Sequence, residues 1–466
     1  MKKTIELILK ILIATLGLSV AVFILLNLKV FVINSQDLLI SFVIALSLVL
    51  IIHSTFTLFW MLYAWEDPEK IEQNKSPNTF YPPQHSFTVL IPARQEGRVI
   101  RDTIKAVSRV KYPDNLMEVL VLCRFDDIET IQKVKKTIEE LNKKNIRLIL
   151  FNSFPINKPH ALNYGLKEAK NKIIAVFDAE DEPHPEILNI INTVFIRDGV
   201  DVVQSGVQLM NYKSRWFSPL NIMEYFFWFR SGLHFFSSVG KVVPLGGNTV
   251  FIKRSYLNKI NGWDKNCLTE DADIGFRLIL VGAKTRVIYD EQHVTQEETP
   301  HNIAGFLKQR TRWDQGFLQV FFKGDWKKLP KLRQRLTAVY VLLSPEIQAL
   351  LLLYVPFSIW FAFVQKMPLI VSLFSFVPFS LFLLQLVVFM IGFYEFAKAY
   401  KFKFQIRYLV KIFITFYPYQ IMLMFASFRA LFRIIFNQNA WEKTLHKNQH
   451  RQIVKVPAYM GAINDN

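Results

Sequence analysis

Cysteine is almost missing from this chain: Cys123 and Cys267 are the two present in 466 residues. That excludes a disulfide framework and a cysteine-based zinc motif, and both thiols read as buried structural groups. Acidic residues are outnumbered, 38 against 56 Lys and Arg, giving a formal net charge of +18. The excess points to an anionic ligand or an anionic membrane face. Nucleic acid is not expected as a partner, because no Lys/Arg block with interleaved aromatics falls on a soluble module. Internal repeats and low-complexity segments are absent as well.

Apolar residues, by contrast, are abundant. Hydrophobic residues make up 51% of the chain, 42 of them Phe, which fits a membrane protein carrying a soluble insert. Residues 7–33 and 38–63 are two apolar spans, each long enough for a bilayer. The first follows "MKK" and is too long for a cleavable signal peptide, so it reads as a retained signal anchor. Two further spans follow the insert, at 341–364 and 368–394. A third stretch, 405–436, carries Pro418, Arg429 and Arg433. It reads as a bent interfacial segment, giving four crossings, with a fifth crossing as the alternative. The expected division is 1–66, 67–335, 336–437 and 438–466. The basic runs "MKK", "KKLPKLRQR" and Lys398 to Arg407 place the insert and the tail in the cytoplasm of a multi-pass plasma (inner) membrane protein.

Within the insert, short apolar runs alternate with helical patterns: "FTVLIPA", "EVLVLCRF", "RLILF" and "KIIAVF" each precede one. That order implies an α/β fold with a mostly parallel sheet covered on both faces, binding ligands beyond the carboxyl ends of its strands. Acidic residues fall at those ends: Asp126 and Asp127 after one strand, Asp178, Glu180, Asp181 and Glu182 after another. A lone strand-end Asp is more often a turn former or helix cap. Four crowded carboxylates repel one another, and a bound divalent cation offsets that repulsion. Asp178 and Glu180, two apart, would share a face as ligands for Mg²⁺ or Mn²⁺, with a diphosphate filling the remaining positions. Lys158 stands at a strand-to-helix junction suited to an anion. In "CLTEDADIGFRL", Thr269 is a capping candidate, with Glu270, Asp271 and Asp273 in the first turn. "FLKQRTRWDQGFLQVFF" reads as an amphipathic helix on the membrane surface.

The ordered set "IPARQEG", "RFDDIET", "KPHALNYG", "FDAED", "GGNTVFIKR…NGWD", "TED" and "QRTRW" resembles the membrane-embedded family 2 glycosyltransferases, relatives of cellulose and hyaluronan synthases. The tail "FRALFRIIFNQNAWEKTLHK" is similar to their interfacial helix and gating loop. The resemblance implies a GT-A (Rossmann-like) catalytic domain between N- and C-terminal transmembrane helices. It implies an inverting, metal-dependent reaction on a nucleotide sugar, with a UDP-sugar expected. Ala93, Glu96, Asp126 and Asp127 would line the nucleoside pocket, and Lys158 and Asp181 would lie beside the nucleotide. Asp178 and Glu180 would hold the metal, and Asp271 would be the general base. Gln309, Arg310 and Arg312 would approach the diphosphate. Trp313, Glu270, Gly246, Gly247, Asn248 and the Gly262–Trp263 turn would serve the acceptor. Glu180 replaces the usual Asp, and "WEKTLHK" replaces the more familiar loop pattern.

The expected acceptor is a growing polysaccharide; the alternative is a lipid that takes one sugar. A non-enzymatic membrane scaffold or transporter subunit, with Glu346 as its intramembrane ionisable group, leaves TED and QRTRW unexplained. Sugar, linkage and accessory or export proteins are not legible.

Overall fold

The structure, a computed structural model, describes residues 35–364, 368–444 and 446–453; the expected first span, 7–33, lies outside them. In chain order the strands are β1 (Phe87–Ala93), β2 (Met117–Arg124), β3 (Ile146–Phe151), β4 (Ile173–Val176), β5 (Val202–Gln204), β6 (Val207–Leu209), β7 (Val250–Lys253), β8 (Thr285–Val287) and β9 (Thr295–Glu297). Seven of them form one sheet in the order β3-β2-β1-β4-β7-β5-β8, and β6 pairs with β9. Within the large sheet β7 runs antiparallel to both neighbours, and the other pairs are parallel. The principal helices are α1 (Ser35–Glu66), α2 (Ile100–Ser108), α3 (Ile128–Leu141), α4 (Lys158–Glu168), α5 (Ile187–Asp198), α6 (Ser218–Phe227), α7 (Glu270–Leu280), α8 (Ile303–Lys323), α9 (Leu332–Val364), α10 (Leu369–Ala399) and α11 (Ile406–Ile435).

Strands buried on both faces read as continuous apolar runs, and side-chain alternation divides each run between two cores. Val89, Ile91, Val119 and Val121 face α2, α3 and α5. Leu90, Leu120, Leu122, Ile174 and Val176 face the other way, where α4 contributes Leu162. This second core continues through Phe226 and Phe227 of α6 into Tyr354 of α9, Phe389 of α10 and Phe416 of α11. The α/β insert therefore has no separate base; one face of its sheet belongs to the same core as the apolar helices.

Among the described residues four helices, α1, α9, α10 and α11, are long and apolar enough to cross a membrane by length and composition. One precedes the sheet and three follow it. The segment expected to bend at Pro418 is a single helix with the proline inside it. Long helices in apolar settings tolerate such prolines, and α9 and α10 likewise carry Pro345, Pro356 and Pro378 inside them. Both ends of α11 touch the insert. Near its start Lys411 Nζ donates to Arg215 O at 3.2 Å, and near its end Arg433 Nε donates to Gln315 Oε1 of α8 at 2.6 Å. The helix thus runs along the insert.

Helix α4 lies directly on the sheet because Gly165 has no side chain. A Cβ there would sit 2.7 Å from Leu122 Cδ1 and 3.0 Å from Leu90 Cδ2. That contact fixes the height of Lys158 at the helix start. Replacing Gly165 by Val overpacks this contact and is expected to cost about 1–3 kcal/mol, read as a lower Tm of the purified protein in detergent.

Candidate active site

The acidic stretch after β4 folds into a tight turn. Asp178 N donates to Asp181 Oδ2 at 2.8 Å, and Asp181 N donates to Asp178 O at 3.2 Å. Asp181 is fully buried and receives Asn248 Nδ2 at 2.9 and 3.0 Å. Asn248 also donates to Glu297 at the end of β9. Glu182 N bonds Gln296 O at 3.1 Å, tying the turn to the same strand. Burial, reinforced by neighbouring carboxylates, pushes the carboxyls of Glu180, Asp181 and Glu297 above their ordinary range. A cation set against them favours their charged forms.

One cation comes from α4. Asn157 caps that helix by accepting from His160 N at 3.0 Å, and Pro159 suits its first turn. Lys158 Nζ pairs with Asp178, donates to Gly247 O at 2.7 Å and lies 3.8 Å from Glu270. Burial opposes the charge on this ammonium, but Asp178, Glu270 and Asp271 outweigh it and hold the pKa above that of an ordinary lysine. Lys158 stays charged.

Across from the acidic turn, Glu270 and Asp271 open α7. Thr269 occupies the N-cap position, yet its side chain makes no capping bond. Helix α8 presses on it instead: a Cβ at Gly316 would lie 2.6 Å from Thr269 N, so glycine permits the approach. Asp271 Oδ1 accepts from Ala272 N at 2.8 Å. A Cβ on Gly247 would stand 3.2 Å from Asp271 Oδ2 and 3.3 Å from Lys158 Nζ, so its absence keeps that gap open. Burial raises both acids, Glu270 to about 7 with Lys158 opposing the shift.

These groups line one cavity of about 1250 Å³. It begins at Ala93, Glu96, Lys158, Asp178 and Glu180, passes Gly246, Gly247, Asn248, Glu270, Asp271 and the Gln309–Trp313 turn of α8, and continues among the apolar helices to His53, Gln348, Gln385 and Gln420. Five expected site residues, Asp126, Asp127, Asp181, Gly262 and Trp263, do not line it. Asp126 pairs with Arg94 at 3.2 Å and with Arg124. Asp127 caps α3, accepting from Thr130 N at 3.4 Å, and also receives Gln95 N. Asp181 turns inward to Asn248 as described. Trp263 is buried, its N–H bonded to Asn163 Oδ1 at 2.8 Å, and it anchors a loop to α4. Arg310 reaches the cavity, but its guanidinium pairs with Glu224 of α6 and lies 4.6 Å over Trp313. Arg312 is the freer cation: it stacks 4.4 Å over Trp441, and its buried Nε has no hydrogen-bond partner among the described residues.

Several lining residues escaped the sequence reading. Glu224, Glu297 and Glu298 are among them, as are Lys443, 2.9 Å from Glu96, and His446, 3.1 Å from Glu180. The "EE" pair ahead of the QRTRW helix obeys the same strand-end rule that singled out Asp178, and so carried a usable signal. Burial and then Glu180 push Glu96 up to about 7, with His446 and Lys443 opposing.

Among the described residues no three His, Cys, Asp or Glu side chains converge into a ready-made metal cage. Asp178 and Glu180 nevertheless fit a divalent cation that takes its other ligands from phosphate. Both open onto the cavity, and the crowded carboxylates around Glu180 are raised by burial and mutual repulsion.

A family model described as glycosyltransferase like family 2 matches residues 82–316, half of the chain. The chain belongs to glycosyltransferase family 2. This family 2 chain is 28% identical over 239 residues to a β-monoglucosyldiacylglycerol synthase of Nostoc sp., covering 50% of the chain and 49% of that relative. It is 22% identical over 272 residues to a poly-β-1,6-N-acetyl-D-glucosamine synthase of Staphylococcus epidermidis, covering 58% of the chain and 63% of the relative. The chain thus spans about half the length of the curated relatives it matches. Among solved structures, a mannosyltransferase of Pyrobaculum calidifontis in complex with GDP-Man and Mn²⁺ superposes with a TM-score of 0.53 at 16% identity, covering 84% of this chain and 99% of that one. That likeness extends the family assignment to the GT-A fold.

Asp314, one residue past Trp313, accepts from Ser427 Oγ of α11 at 2.8 Å, and burial pushes its carboxyl up to about 7. Its folded pKa exceeds the unfolded value, so the folded state retains a proton that the unfolded chain releases. Stability therefore falls as pH rises from about 4 to about 7 and levels off above. Asp314→Asn is expected to remove roughly 2–3 kcal/mol of the stability difference between pH 5 and pH 8, checked by Tm against pH for both proteins.

Proposed function

We propose that the chain is an inverting membrane glycosyltransferase that moves a sugar from a nucleotide-sugar donor, a UDP-sugar, onto a growing polysaccharide. The observation that carries this reading is the placement of Asp271 and the Asp178/Glu180 pair on one cavity, with the Lys158 ammonium between them. Asp271 would accept the proton of the acceptor hydroxyl as that oxygen attacks the sugar carbon. A lone base on the side away from the leaving group gives displacement with inversion. Asp178 and Glu180 would hold Mg²⁺ or Mn²⁺, which supplies positive charge to the departing diphosphate. Lys158 and Arg312 add fixed cations there. Trp313 offers a flat apolar face with an N–H to an acceptor sugar ring.

The acceptor follows from the far end of the cavity. His53, Gln348, Gln385 and Gln420 are imidazole and amide groups inside apolar helices; they suit a hydroxyl-rich chain better than an acyl chain. A single transfer to a lipid is the second reading, favoured by Met61, Phe389, Leu423 and Met424 in the same lining. The names of the two relatives divide in the same way. The basic residues before α9 and between α10 and α11 support a cytoplasmic insert in the plasma membrane. With both ends of α11 against the insert, this helix is read as interfacial rather than as a crossing.

Purified protein in lipid, screened across UDP- and GDP-sugars with Mg²⁺ or Mn²⁺, is expected to give an oligosaccharide ladder by mass analysis. A single-sugar product or a glycolipid would reject chain extension and leave transfer intact. Asp271→Asn is expected to lower transfer about 10²–10⁴-fold while nucleotide binding persists; full activity in that variant would overturn the assignment.

A further inference from the structure

Beyond Asn437, whose left-handed backbone (φ 53°) follows α11, the chain becomes a strap over the cavity mouth. Its first half is gripped by helices. Gln315 Nε2 donates to Gln438 O at 2.8 Å, Arg433 donates to Ala440 O at 2.8 Å, and Arg429 donates twice to Glu442, at 2.6 and 2.5 Å. In the second half Asn448 Nδ2 donates to Asp102 Oδ2 at 2.7 Å and Lys447 Nζ lies 2.6 Å from His301 Nε2, while a single carboxylate takes the main chain. Glu298, 6% exposed, accepts backbone N–H groups from three consecutive residues: Lys447, Asn448 at 3.2 Å and Gln449 at 2.5 Å. Between these anchors hang Lys443 on Glu96 and His446 on Glu180, at 2.9 and 3.1 Å. Just beyond, Arg451 donates to the carbonyls of Glu180 and Asp181 at 3.1 and 2.8 Å.

A buried carboxylate is costly unless its charged form is well hydrogen-bonded. The strap's main chain supplies that bonding for Glu298, so the burial of this side chain and the seating of the strap depend on each other. Main-chain donors also make the contact indifferent to strap side chains. Glu298 therefore sets the strap's height and leaves Lys443 and His446 free to face the cavity.

We propose that Glu298 is a positioning residue: it latches strap residues 447–449 and thereby fixes Lys443 and His446 over the donor-side carboxylates, closing the nucleotide end of the cavity. It acts on the reaction through the strap. The kinetic half of the proposal rests on the nucleotide-sugar reading above; the structural half does not.

Hydrogen exchange of full-length protein in lipid tests the latch without any substrate. In Glu298→Ala, the amides of 447–449 are expected to exchange about tenfold faster or more, while peptides from β1 stay as in wild type. Glu298→Gln, isosteric and retaining one acceptor oxygen, should fall between the two. Unchanged exchange at 447–449 in both variants would overturn the latch whatever the enzyme's chemistry. Once a donor is known, Glu298→Ala should raise its KM about tenfold with kcat altered less than about threefold. In a Lys443→Ala/His446→Ala background the same change should add nothing. A KM rise that persists undiminished there would show that Glu298 does not act through these two side chains. If no sugar nucleotide is turned over by wild type, the functional reading fails and the exchange result still decides the latch.

Discussion

Buried negative charge sets the terms for this molecule. Glu96, Glu180, Asp181 and Glu297 gather beside Asp178, and all four carry carboxyls raised by burial. Such a cluster cannot ionise fully in a medium of low dielectric unless cations stand against it. The chain supplies them from distant places: Lys158 from the start of α4, and Lys443 and Arg451 from the tail, where the His446 imidazole also lies 3.1 Å from Glu180. A metal-bound diphosphate would bring charges of both signs into the same space, so the tail's cations and the ligand's cation answer the same electrostatic demand.

Helix α8 joins this charged centre to the apolar helices. Its Gly316 lets it sit against the backbone of Thr269, so the turn carrying Glu270 and Asp271 and the QRTRW segment cannot separate without a loss of packing. On the opposite side Arg310 shares Glu224 with Tyr419 of α11. Asp314 meets Ser427 of the same helix, and Gln315 meets Arg433. Polar contacts of this density along one helix are directional and hard to satisfy in any other arrangement, which makes the α8–α11 pair the rigid floor of the cavity.

Much of this was legible in the residues. The runs "FTVLIPA" and "EVLVLCRF" became β1 and β2, buried on both faces, and the strand-end acids Asp178 and Glu180 open into the cavity. The reversal of β7 was not legible, because "VFIK" has the same local pattern in either direction. Pro418 looked like a break because proline removes a helix hydrogen bond; it lies exposed on α11, whose Phe416 and Tyr419 pack on α10 and α8 and hold the helix continuous. Asp126, Asp127 and Asp181 illustrate the ambiguity of a strand-end carboxylate. Residue type and spacing are identical for a ligand and for a cap or buttress; the deciding partner is local for Asp126 and Asp127, in Arg124 and Thr130, and remote for Asp181, in Asn248. The contacts of Lys443 and His446 depend on closure of the whole chain and had no local signature beyond a resemblance of the tail.

The shared core has a mechanical meaning. Leu90 and Leu120 of the sheet belong to the same packed body as Phe389 and Phe416, and Gly392 of α10 is so close to α6 that a Cβ would lie 2.3 Å from Phe227 Cζ. Among the described residues the sheet and the apolar helices pack as one body. Dense interiors transmit strain, so a displacement of α10 is passed through α6 to the sheet that carries the cavity walls.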